Sequence, residues 1–268
     1  MNKKIIALLT FVLILASLVG CGAPKEKTLK VGASPVPHAE LLKLVQEDLK
    51  AEGIQLEIIE YTDYVQPNLA LASKDIDANF FQHLPYLDNF NAENKLDLVS
   101  LGTTHVEPLG LYSKKYKEVS EIPDGATLAL PNDPTNEGRA LLLLQANNLI
   151  KLNPEAGLLA TVKDITENTK NLNFKELEAA QLPRLLADFD GAIINGNFAI
   201  EAKLSPLNDA LLVEGAESPY ANIIAVRKDD VQREDLQKLL KALQSEKVKE
   251  YILSHYDGGV LPAFSSQN

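Results

Sequence analysis

Three groups of residues in the sequence gather side chains able to hold a small molecule. Asn79-Phe80-Phe81-Gln82-His83-Leu84-Pro85-Tyr86 joins an aromatic cluster to two polar tips, His83 and Tyr86, where a β-rich run gives way to a helical one. Open α/β sheets place ligands at such strand ends, and aromatic rings there can line an apolar pocket. Phe80 and Phe81 suit a core equally well. Pro131-Asn132-Asp133-Pro134-Thr135-Asn136-Glu137-Gly138-Arg139 sets free N–H groups and an arginine in the first turns of a helix. That is a receptor for a carboxylate or phosphate, and Arg139 can fork two bonds onto a planar carboxylate. The same residues also suit a plain helix start with a solvated arginine. Asn195 and Asn222, the latter in Ser218-Pro219-Tyr220-Ala221-Asn222, stand at strand ends. Amide oxygens there, facing a cleft, can hold an ammonium group. Either is as readily a turn residue.

No reaction is legible. Gly32-Ala33-Ser34-Pro35-Val36 lacks the glycine that a nucleophile elbow needs after its serine. Neither the glycine fingerprint of dinucleotide sites nor a P-loop occurs. His38, His83, His105 and His255 show no metal-ligand spacing, so no metal or other cofactor is expected. His83 acting as a base would need a neighbouring nucleophile or metal, and the sequence offers neither. Nothing in the sequence names a reaction.

The single cysteine, Cys21, excludes a disulfide framework and an intrachain Cys-based zinc site. Lys3 and Lys4 precede an apolar run, Ile5 to Leu18, too short for a permanent span. The run ends in Leu18-Val19-Gly20-Cys21, which looks like a bacterial lipobox. The expectation is a signal peptide over residues 1–20, lipidation at Cys21 and a tether over residues 21–27. Lipid on that residue would hold the body at the extracytoplasmic face of a membrane. The full chain has 26 Lys+Arg against 37 Asp+Glu, a formal charge of −11. A surface this acidic argues against nucleic acid.

Elements that must position these residues follow from periodicity. Leu29 to Ala33, Gln55 to Tyr61, Ile76 to Phe81, Ala126 to Leu130, Ala192 to Asn195 and Asn222 to Lys228 read as strands. Leu41, Leu42, Val45 and Leu49 mark one amphipathic helix, and Leu236, Leu239, Leu240 and Leu243 another; Glu137 to Asn148 reads as a third. The alternation predicts an α/β chain with parallel sheets and crossover helices. With no polar linker, two lobes are expected to be joined by strand crossings near Leu109–Ser113 and Asn222–Arg227. Residues 28–110 and 226–268 would form lobe I, and residues 111–225 lobe II. Two crossings make a hinge, and a hinge makes a cleft.

Three runs carry a family resemblance: Asp77-Ala78-Asn79-Phe80-Phe81-Gln82-His83; Ala129-Leu130-Pro131-Asn132-Asp133-Pro134-Thr135-Asn136 with Gly138-Arg139; and Glu176-Leu177-Glu178-Ala179-Ala180-Gln181-Leu182-Pro183-Arg184. The chain resembles the methionine-binding lipoproteins of the NlpA/MetQ family, substrate-binding components of a methionine ABC importer. The resemblance implies a two-lobed periplasmic-binding-protein fold, type II-like. The fold would close on L-methionine, D-methionine or a derivative and dock onto an ABC permease with its cytoplasmic ATPase. A methionine-containing dipeptide or another apolar amino acid is the alternative ligand. The resemblance also implies that Arg139 grips the ligand carboxylate. Asn195 and Asn222 would hold the backbone polar groups, the ammonium included. Tyr64, Phe80, Phe81, His83 and Tyr86 would form the side-chain pocket. Asn197, in Gly196-Asn197-Phe198, has no role assigned by it.

Overall fold

The computed structural model describes residues 27–215 and 218–265. The expected signal peptide and Cys21 lie outside the described residues. In chain order, β1 (Lys27–Ala33) leads through a helical turn at Pro35–Ala39 into α1 (Glu40–Ala51). Next come β2 (Ile54–Glu60), α2 (Gln66–Ala72), β3 (Ala78–His83), α3 (Leu84–Asn94) and β4 (Leu98–Val106). A second series holds β5 (Gly110–Tyr112), β6 (Thr127–Pro131), α4 (Pro134–Ala146), β7 (Ile150–Leu152), β8 (Ile165–Asn168) and β9 (Asn173–Leu177). It continues with α5 (Leu182–Leu185), β10 (Gly191–Ile194), α6 (Gly196–Glu201) and β11 (Ala210–Val213). The chain then returns through β12 (Asn222–Arg227), α7 (Glu234–Leu243), α8 (Glu246–His255) and β13 (Leu261–Pro262).

Two mixed sheets result, ordered β13-β4-β12-β3-β1-β2 and β11-β5-β10-β6-β9. The expected parallel pairing holds where βα units repeat: β1 lies parallel to β2 and β3, and β6 to β9 and β10. It fails for β12, which arrives from the other lobe and runs antiparallel between β3 and β4.

The crossings differ in place from the sequence reading. β4 ends at Val106 in the first sheet and β5 opens at Gly110 in the second, so Glu107-Pro108-Leu109 is the outward crossing. The return falls between Val213 and Asn222, because β12 pairs throughout with strands of the first sheet. Gly110 therefore sits with the second lobe, and Asn222 to Ala225 with the first. Lys27, expected in the tether, opens β1 opposite Ile54.

Each lobe has its own core. The stripe of α1, Leu41, Leu42, Val45 and Leu49, packs with Leu236, Leu239 and Leu243 of α7 over Leu29, Val31 and Ala33 of β1. In the second lobe Leu128, Leu130 and Ile193 meet Leu141 and Leu144 of α4. Full burial of each such side chain contributes about 1.5–3 kcal/mol. These cores hold three strand-to-helix junctions, β3–α3, β6–α4 and β10–α6, whose residues line one cavity. Among the described residues, no helix is long and apolar enough to cross a membrane.

Candidate functional site

A cavity lies between the lobes, and residues of both line it. Seven residues singled out in the sequence line it: Tyr64, Phe81, His83, Tyr86, Arg139, Asn195 and Asn222. The eighth, Phe80, does not. Successive residues of a strand face opposite sides, so Phe81 reaches the cavity while Phe80 is sealed in the first lobe's core, edge-on to His38 at 4.6 Å.

One end of the cavity is aromatic. Tyr64 lies 5.8 Å from both Phe81 and Tyr86 and 5.0 Å from Phe198, measured between ring centroids. The Tyr86 hydroxyl donates to the Tyr64 carbonyl at 2.9 Å, fixing one ring against the other.

The other end is polar, and its hydrogen bonds settle which atoms are spoken for. His83 caps α3: its Nδ1 accepts from the Tyr86 N–H at 3.1 Å, so Nε2 carries the proton and donates to Asn136 Oδ1 at 3.3 Å. Asn195 Nδ2 donates to the same oxygen at 2.8 Å. Asn195 Oδ1 is left buried and without a partner among the described residues. Asn222 is oriented the other way. Its Oδ1 lies 3.0 Å from His38 Nε2, which also faces Glu107 Oε1 at 3.1 Å. A ring nitrogen between two oxygens is the donor, so Asn222 presents its NH₂ group to the cavity. One lone pair of the Asn222 oxygen, the atom expected to meet an ammonium, is taken by His38.

Arg139, buried on α4, is more committed than its sequence context suggests. Its Nε lies 3.0 and 3.2 Å from the two Glu214 carboxylate oxygens, and Nη2 also donates to that carboxylate. Nη2 donates further to the Glu107 carbonyl at 2.8 Å, and the Tyr220 ring lies 4.4 Å from the guanidinium carbon. The fork expected for a ligand is thus held by Glu214. Nη1 makes no hydrogen bond among the described residues.

Glu107, on the outward crossing, ties the lobes together beside the cavity. Its Oε1 faces His38 Nε2 and, at 2.7 Å, His105 Nε2, while the backbone N–H of Asn197 bonds the same carboxylate. The crossing runs close over α6 at Gly196, where a Cβ would come within 2.6 Å of Glu107 Cβ. His38, His105 and Glu107 have ligand atoms within 4.8 Å of one another, the convergence a metal ion would need. Here those atoms bond one another, and hydroxyls of Ser34 and Thr104 meet the Nδ1 atoms at 2.6 and 2.9 Å.

Gln82, Glu107, Gly196 and the side chains of Asn136 and Asn197, for which the sequence suggests no contact, also line the cavity. Asn136 and Asn197 stood beside flagged residues, and that adjacency was their signal. Glu107 had none.

The sequence profile of the family described as NlpA lipoprotein matches residues 29–264. The chain belongs to that family. Among NlpA relatives, it is 45% identical over 265 residues to membrane lipoprotein TpN32 of Treponema pallidum (strain Nichols), covering 98% of this chain and 99% of that protein. It is 44% identical over 250 residues to the D-methionine-binding lipoprotein MetQ of Escherichia coli (strain K12), covering 91% and 92%. A nutrient-binding protein from Burkholderia cenocepacia, solved bound to methionine, superposes with a TM-score of 0.86 at 50% identity over 88% of this chain and 100% of that one. The two-lobed fold inferred from the NlpA resemblance is the one found.

The buried histidines of this NlpA-family site are neutral. Burial lowers His38 to about 4, with Glu107 opposing, and lowers His105 to about 3. Burial and then the Arg139 charge lower His83 to about 3. Burial raises Glu107, while His38, Arg139 and the Asn197 N–H oppose that rise. Each histidine contributes stability that is complete above about 6.5 and is lost as pH falls toward its folded value, at about 1.4 kcal/mol per pH unit. Glu137, pushed up to about 7 by burial, works oppositely between about 7 and 4.5. NMR of the ring nitrogens is expected to show no titration of His38, His83 or His105 between pH 8 and 5. A midpoint near 6.5 for any of the three would contradict the assigned hydrogen bonds.

Proposed function

We propose that this protein binds methionine in the cavity between its lobes and delivers it to an ABC importer. Lipid on Cys21 would hold it at the extracytoplasmic face of the membrane. The protein performs no reaction. One observation carries the ligand class: among the described residues, a buried acceptor without a partner, Asn195 Oδ1, and an arginine nitrogen that makes no hydrogen bond, Arg139 Nη1, belong to residues of a single cavity walled by Tyr64, Phe81 and Tyr86. A zwitterion losing its hydration needs a partner at both ends. The carboxylate takes Arg139 Nη1 and Asn222 Nδ2, and the ammonium takes Asn195 Oδ1. The apolar side chain fills the aromatic end, where a thioether packs favourably against ring edges.

Similarity to a protein solved with methionine and to MetQ proteins supports methionine over other apolar amino acids. The importer's permease and ATPase follow from the same kinship. Native mass spectrometry of protein purified without added ligand tests the reading. A bound mass equal to methionine is expected. A methionine dipeptide, or a different amino acid retained after exchange against excess methionine, would replace it.

A further inference from the structure

Asn197 stands where a lobe contact and the ligand cavity coincide. It is 2% exposed and lines the cavity. Its Oδ1 accepts from the Tyr64 hydroxyl at 2.5 Å, a bond between the second lobe and the first. Its Nδ2 is buried and has no partner among the described residues. Buried polar atoms are nearly always paired, and an orphaned donor is costly. A donor left bare in a ligand cavity marks a bond that a ligand acceptor completes.

Which acceptor follows from counting donors. A carboxylate has room for about four hydrogen bonds. Arg139 spends Nε and Nη2 on Glu214 and the Glu107 carbonyl, leaving Nη1. Asn136 Nδ2 is bonded to Asp133, and Gln82 Nε2 to Asn68 and Asn79. Asn195 Nδ2 has one of its two hydrogens on Asn136, and among the described residues Asn222 and Asn197 are the two cavity amides whose NH₂ groups make no hydrogen bond. Orientation of the second is set by Tyr64: the phenol hydrogen enters Asn197 Oδ1, which turns Nδ2 away from it.

We propose that Asn197 reads the carboxylate of the bound amino acid through Nδ2, and that the Tyr64 hydroxyl is the positioning group that holds the amide in that sense. The assignment rests on the amino-acid reading above. It makes one bond serve two ends, since the contact that joins Tyr64 to Asn197 across the lobes also aims the donor at the ligand.

The test compares Asn197→Ala, Asn197→Asp and Tyr64→Phe in the full chain, expressed with its leader and extracted in detergent. Two ligands are titrated at pH 8: L-methionine, and L-methioninol, which keeps the ammonium and thioether but has a hydroxymethyl group for the carboxylate. Asn197→Ala is expected to weaken methionine about tenfold, the size of one lost hydrogen bond. Asn197→Asp keeps an acceptor for Tyr64 but sets a carboxylate against the ligand's own, so methionine should weaken by about 100-fold or more. Methioninol, lacking that charge, should weaken by less than about tenfold in the same variant. Tyr64→Phe should weaken methionine on its own and add nothing to Asn197→Ala.

Methionine binding within about threefold of the parent in Asn197→Asp would overturn the proposal and leave Asn197 as an acceptor for Tyr64 alone. Equal losses for both ligands would overturn it as well. If Asn197→Asp fails to fold, by its thermal midpoint, the additivity of Tyr64→Phe with Asn197→Ala decides: additive losses overturn the proposal. A parent that binds no methionine would instead defeat the ligand reading itself.

Discussion

Arg139→Ala is expected to weaken methionine binding by about 30-fold to several thousand-fold, the effect of about 2–5 kcal/mol when one member of a buried charge pair is removed. Two partners are stranded at once. The ligand carboxylate loses Nη1, and Glu214 loses the guanidinium that forks onto it. Arg139→Lys should not rescue the site, and a loss of at least about tenfold is expected. A lysine ammonium is one point on a flexible stem, whereas this guanidinium spans Glu214, the Glu107 carbonyl and the Tyr220 ring together. Calorimetric titration at equal folded fraction checks both variants. Binding by Arg139→Lys within about threefold of the parent would remove Arg139 from the carboxylate site.

Gly138→Ala should destabilise the protein although the substitution favours a helix. In an exposed helix, alanine gains about 1 kcal/mol over glycine. Here a Cβ at position 138 would lie 2.2 Å from the Leu158 carbonyl oxygen, 2.9 Å from its carbon and 3.1 Å from the Ala160 nitrogen. All three are backbone atoms of the segment laid over α4, and they cannot rotate away as a side chain can. Overpacking of this kind costs about 1–3 kcal/mol and sometimes more, so sterics win over propensity. Urea unfolding should show a net loss of about 2 kcal/mol. Stability equal to or above the parent would mean that the segment moves freely. Arg139 is the next residue on α4, so methionine affinity should fall in the same variant.

Much of the fold was legible where one face of an element is fully apolar. The α1 and α7 stripes and the strands around β1, β3, β6 and β12 were found to within a few residues, because burial imposes period 2 or 3.6 on the sequence. The strands of the second lobe's edge were not. β9, Asn-Phe-Lys-Glu-Leu, has no fully buried residue, so hydrophobicity leaves no pattern to read. The crossings were misplaced by a few residues for a related reason. β5 and β12 are apolar because they are buried within sheets, and burial does not tell which sheet.

In the site, residue types were legible and hydrogen-bond directions were not. Asn195 and Asn222 look alike in sequence, yet Asn136 takes the NH₂ group of one and His38 the oxygen of the other. They therefore show opposite faces to the cavity. Glu214 lies 75 positions from Arg139, and only folding brings the pair together. Phe80 and Phe81 differ only in which side of β3 they occupy. A one-residue uncertainty in strand register hides that difference.

The most direct test of the central claim is calorimetric titration of ligand-free protein, beginning at Lys25, with L-methionine. Unfolding and refolding first removes any resident ligand. The account predicts saturable binding of one methionine per chain, abolished or strongly weakened by Arg139→Ala and accompanied by a rise in thermal midpoint. Absence of binding in refolded protein whose circular dichroism matches the parent's would contradict it, as would binding that Arg139→Ala leaves unchanged.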